Sequence, residues 1–168
     1  VGWVLSRRYH QGLVSLGLGR ADLRRNVLLG IGAGVVLVII DSALCRLFML
    51  VCSWDPTPIY LRTRTAGELA AVLLAVALLV PVAEEVLWRG FAYRAFRQRY
   101  SRLAAAACTS AIFAAFHFNL VGFPSLFVIG MGLVLLYERT GSLVTPISAH
   151  ATINSMIVLM LRYGGSPH

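Results

Sequence analysis

The chain has 168 residues, 58% of them hydrophobic and 13% charged, with a net charge of +8. A soluble domain carries about 25% charged residues, so this composition excludes an ordinary soluble globule. The positive charge is all arginine, for the sequence holds no lysine; it gathers at the ends of apolar blocks, as membrane-flanking charge does, and argues against a nucleic-acid partner.

Residues 1–25 mix Trp3, Val4, Leu5 and Leu13 with Arg7, Arg8, Arg20, Arg24 and Arg25, which reads as a segment lying on the membrane surface, with a plain polar leader as the alternative. Arg7 and Arg8 lead into polar residues and glycines, so no cleavable signal peptide is expected. The first span is expected over 26–54, with Asp41 able to pair with Arg46. Pro56 and Pro58 mark a loop. The second helix, 65–99, exceeds a bilayer's thickness at about 1.5 Å per residue, and Pro81 is positioned to kink it. A third span is read over 102–119, a short fourth over 124–137, a turn at Gly141, and a fifth over 143–162. Cys45, Cys52 and Cys108 form no C-x-x-C pair and read as reduced structural thiols.

The fold class is therefore all-α: a polytopic transmembrane bundle of about five helices behind an N-terminal surface segment. It reads as one membrane-embedded domain over 1–168, with the bundle over 26–163. With the N-terminus inside, ten flanking arginines lie on the inner side and three on the outer. That asymmetry predicts a cytoplasmic N-terminus. The expected location is a prokaryotic inner or plasma membrane.

Polar groups interrupt three of the apolar helices. "PVAEEVLWRG" places Glu84, Glu85 and Arg89 on the second, "FAAFHF" places Phe113 and His117 on the third, and "HATIN" places His150 and Asn154 on the fifth. Residues four apart share a helix face, so Glu85 reaches Arg89 and His150 lies over Asn154. Each group is costly in lipid, so the polar faces are expected to turn toward one another. A carboxylate and an imidazole can hold a water and take its proton. A second imidazole and an amide can donate to an oxyanion. No serine or cysteine stands at a clear nucleophile position, so these residue types point to hydrolysis of an amide bond by activated water. Taken singly, each has a plainer reading: a self-neutralising ion pair, a structural histidine, an asparagine joining two helices. A small transporter uses similar residues in proton relays, though its internal repeats are not seen here.

The three motifs E-E-x-x-x-R, F-x-x-x-H and H-x-x-x-N, in this order, resemble those of the CPBP family, the CAAX proteases and bacteriocin-processing intramembrane proteases also called Abi proteins. "YERTGSLVTPISAHATIN" is similar to the family's approach to its last motif. The resemblance covers roughly Leu69 to Asn154. It implies that Glu84 activates water, that His117 helps hold it, and that His150 and Asn154 stabilise the oxyanion, with Glu85, Arg89 and Phe113 in support. It implies as substrate a membrane-associated protein or peptide, such as the C-terminal sorting segment of an exported protein. Prenylated CAAX proteins and bacteriocin or leader peptides are the alternatives, and the family also includes proteins proposed to act as immunity factors or scaffolds without cleavage. No cofactor is expected. In the zinc alternative, Glu84, His117 and His150 would be the ligands, although the H-E-x-x-H spacing of many zinc proteases is missing.

Overall fold

The computed structural model describes residues 22–49 and 65–163. Among them the protein is all-helical. Helix α1 spans Leu23–Met49, α2 Ala66–Arg97, α3 Arg102–Ala115, α4 Phe123–Thr140 and α5 Val144–Tyr163. Four of these, all but α3, are long and apolar enough to cross a membrane, and the chain is an integral membrane protein. Most of the expected surface segment, the end of the expected first span, the loop marked by Pro56 and Pro58, and Cys52 lie outside the described residues. Leu23 to Arg25 belong to α1, because the Asn26 amide donates to the Asp22 carbonyl at 2.9 Å and starts the helix there.

Local chemistry sets the helix ends. Thr65 caps α2 in a capping box, its hydroxyl accepting from the Glu68 amide and its own amide donating to the Glu68 carboxylate. Ser101 caps α3. Gly141, at φ 63°, closes α4 in the left-handed conformation that glycine adopts without penalty. The third helix stops at Ala115, four residues short of the expected end. Phe118 takes a positive φ of 49°, and the His117 ring bonds back to the Phe113 carbonyl at 2.8 Å, a side-chain closure of a helix C-terminus.

Helix α2 is continuous but not uniform. Leu73–Leu79 and Val86–Tyr93 wind as π-helix, and Val80–Glu85 between them is α-helical. Pro81 is thus absorbed by a change of winding.

The bundle core forms where α1, α4 and α5 meet, through Leu37, Val38, Ile129, Leu133, Ala149 and Ile153. A second core joins α2, α3 and α4 through Tyr93, Ala105, Ala106 and Val134. Gly30 and Gly34 bring α1 against α5. A Cβ at Gly34 would stand 2.7 Å from the Ala149 carbonyl oxygen, and one at Gly30 2.5 Å from that of Thr145. This is the small-residue contact by which membrane helices approach closely. The expected pairing of Asp41 with Arg46 does not form. Residues five apart lie roughly 140° around a helix, and Asp41 instead accepts from the Cys45 thiol at 3.9 Å.

Candidate active site

The site grows from the short α-helical stretch of α2. Its last two residues are Glu84 and Glu85, adjacent and therefore about 100° apart around the axis. Glu85 points into the bundle and is fully buried, whereas the Glu84 side chain keeps 28% of its exposure. One turn on, Arg89 returns to Glu85. Its Nη1 donates to Glu85 Oε1 at 2.6 Å, and its Nη2 donates to the Gly130 carbonyl on α4 at 3.2 Å. Its guanidinium also lies 4.9 Å from the Phe113 ring centroid, a cation–π contact. Gly130 makes this reach possible. A Cβ there would meet Ser110 at 2.9 Å, so its absence lets α3 and α4 close together beside the buried carbonyl that Arg89 reaches.

His150 comes from α5 and is buried. Its Nδ1 lies 2.8 Å from the same Glu85 oxygen that Arg89 holds. A carboxylate paired with arginine is an acceptor, so Nδ1 carries a proton, and the ring is fixed with Nε2 turned toward Glu84. Nε2 lies 3.8 Å from Glu84 Oε2. That is too long for a hydrogen bond and suits a bridging water. Glu84 Oε2 has no hydrogen-bond partner among the described residues.

His117 stands apart from this group. It follows the end of α3 and is exposed, with Nδ1 engaged by the Phe113 carbonyl. Phe113 is its link to the site: the buried ring packs edge-on against His117 at 4.7 Å and against His150 at 6.0 Å. Trp88 packs on Phe113 from α2 at 6.1 Å.

Asn154 shares a helix face with His150, but its amide is already engaged. Nδ2 donates to the Val76 carbonyl at 2.8 Å. The reason lies in α2. There the Val80 amide bonds five residues back, to Ala75, so the next donor, at position 81, would serve Val76. Position 81 is proline, which has no N–H, and Asn154 supplies the missing donor.

Among the described residues no three His, Cys, Asp or Glu side chains converge on one point as metal ligands. Glu84 and His150 face each other, Nδ1 of His150 is engaged by Glu85, and Nδ1 of the exposed His117 is engaged by the Phe113 carbonyl. The donor set required by the zinc alternative is not brought together in this arrangement.

Besides the bond between His150 and Glu85, the contacts to the Gly130 and Val76 carbonyls do not follow from the sequence. A proline within an apolar helix signals an orphaned carbonyl one turn back, and small residues facing a buried arginine signal an accessible one.

The Rce1-like model of the type II CAAX prenyl endopeptidases matches residues 66–156, from the start of α2 to beyond Asn154. An uncharacterized 24.3 kDa protein of Escherichia coli is 31% identical over 57% of this chain and 46% of its own length. The uncharacterized protein YpbD of Bacillus subtilis is 28% identical over 84% of this chain and 73% of its own. The chain thus spans under half the length of the first of these relatives. No solved structure matches it significantly.

Proposed function

The chain belongs to the Rce1-like family of type II CAAX prenyl endopeptidases, and from that premise we propose that it is an intramembrane endopeptidase that hydrolyses a peptide bond of a membrane-associated protein or peptide by glutamate-activated water. One observation carries the reading: His150, oriented by Glu85 at 2.8 Å, lies 3.8 Å from the buried, unpartnered Oε2 of Glu84, a side chain that is otherwise partly exposed. A water between them would give its proton to Glu84 as its oxygen attacks the peptide carbonyl. A His150 that enters the reaction as the imidazolium, its Nε2 proton taken from solvent beforehand, would donate from Nε2 to the oxyanion while Glu85 holds Nδ1, and would keep that proton through the cycle. As the tetrahedral adduct breaks, Glu84 would pass the proton to the leaving amine. The Nε2 of His117, not engaged by the Phe113 carbonyl, would assist in holding water or substrate at the exposed edge. Asn154 would act on α2 through Val76 and on the oxyanion only if that bond is exchanged.

The proposed mechanism uses no cofactor, and it is supported over a zinc centre by Glu84, His117 and His150 not gathering as one ligand set among the described residues. The proposed location is a prokaryotic inner or plasma membrane with the N-terminus cytoplasmic, supported by the arginine asymmetry. The proposed substrate is a C-terminal sorting segment of an exported protein, with prenylated and leader peptides as alternatives.

The test is reconstitution of the protein with membrane-tethered peptides of these three kinds, in water enriched in heavy oxygen. The reading predicts cleavage of one kind, with heavy oxygen in the new carboxyl terminus. Folded protein that leaves all three intact would contradict it and favour a scaffold or transporter.

A further inference from the structure

A second feature lies away from Glu84 and His150. Between α1 and α3, floored by α4, runs a groove of about 670 Å³, within the range of about 300–1,000 Å³ of ligand pockets. Leu37 and Ile40 of α1 form one wall, Leu103 and Ala106 of α3 the other, and Met131 and Leu135 part of the floor. Gly132 keeps the floor low, since a Cβ there would stand 2.7 Å from Leu37. Leu103 is 70% exposed and Leu135 48%, so the groove opens onto the face that lipid covers.

One end of the groove is charged. Arg102, Glu138 and Arg139 line it. Glu138 is heavily subscribed: it accepts from Tyr93 at 2.6 Å and from Arg102 Nε at 2.8 Å, with Arg97 at 3.9 Å. Arg102 nevertheless remains 74% exposed. Arg139 is exposed and has no ion pair among the described residues. The mouth therefore carries surplus positive charge above an apolar trough, beside the interface where the arginines of α2 also gather. A molecule that fits has an anionic head and a hydrocarbon tail.

We infer that this groove is a binding site for an anionic phospholipid, its phosphate held by Arg102 and Arg139 and an acyl chain laid along Leu37, Met131 and Leu135. Basic pockets between membrane helices hold anionic headgroups in this way. Guanidinium suits phosphate because it can bond two oxygens at once.

The test uses the full chain in neutral detergent, melted with added phosphatidylglycerol or phosphatidylcholine. Near saturation, phosphatidylglycerol should raise the melting temperature by about 5–10 °C, and phosphatidylcholine should not. The double substitution Arg102→Gln and Arg139→Gln should abolish that difference, whatever its effect on the lipid-free melting point. Arg162→Gln, at the opposite end of the bundle, should preserve it. Leu135→Trp, which fills the trough from an exposed position, should reduce the response. Should that variant fail to fold, native mass spectrometry of the arginine variant counts retained lipid instead. Equal response to both lipids, a response surviving in the double arginine variant, or one reproduced by inorganic phosphate would overturn the assignment. So would a groove already filled by protein, seen as Leu135→Trp lowering stability while lipid has no effect on the unsubstituted chain.

Discussion

Glu85 Oε1 lies 2.8 Å from His150 Nδ1 and 2.6 Å from Arg89 Nη1, so one buried oxygen ties α5 to α2. Because Arg89 also bonds Gly130, three helices meet at this point. Breaking a buried pair from one side strands a charge and costs about 3–5 kcal/mol. Arg89→Ala should therefore lower the melting temperature in detergent markedly and reduce cleavage with it. Arg89→Lys should recover only part of the stability, since one ammonium cannot reproduce the fork that spans Glu85 and Gly130. An unchanged melting profile in Arg89→Ala would refute the pairing.

Asn154 and Pro81 should be energetically coupled through Val76. Asn154→Ala leaves the Val76 carbonyl without its donor, at a cost of about 1 kcal/mol. In Pro81→Ala the restored N–H can serve that carbonyl itself, so Asn154→Ala should cost less in that background. A double-mutant cycle in detergent measures the coupling. Strict additivity would contradict the coupling of the two positions through Val76. If instead Asn154→Ala leaves stability intact and lowers turnover about 10²–10³-fold, the amide serves the oxyanion.

Gly34 holds the α5 backbone just before His150. Gly34→Val places a methine where only 2.7 Å separates it from the Ala149 carbonyl oxygen. Overpacking of this kind costs about 1–3 kcal/mol, and here it also displaces the histidine. The variant should lose stability and activity together. Gly32→Val is its control, since a Cβ there meets nothing within 4 Å, and it should be neutral. Equal behaviour of the two would refute the α1–α5 contact.

The glutamate mechanism predicts that strong chelators leave cleavage unchanged and that active protein holds no stoichiometric metal. About one zinc per active chain, lost in both His117→Ala and His150→Ala, would overturn that expectation.

The helices were legible because hydropathy and arginine flanks report directly on lipid. Gly141 also disclosed where a helix ends. The third helix was misjudged at its C-terminus, because Phe116 and Phe118 are as apolar as the helix before them. Hydropathy does not register a backbone that turns to positive φ. The Glu85–Arg89 pair followed from spacing within one helix. The sharing of Glu85 with His150 depends on how α2 rotates against α5, and two π-helical stretches alter that rotation without any simple periodic trace. The placement of His117 on a turn and the commitment of Asn154 to Val76 were hidden for the same reason: both depend on partners set by backbone geometry.

The most direct test of the account is the cleavage rate of Glu84→Gln in reconstituted membranes, measured beside its melting temperature. The substitution keeps the shape of a partly exposed side chain and removes its ability to take a proton from water. The account predicts wild-type melting and cleavage lower by about 10²–10⁴-fold. Folded Glu84→Gln protein that cleaves at the wild-type rate would contradict it.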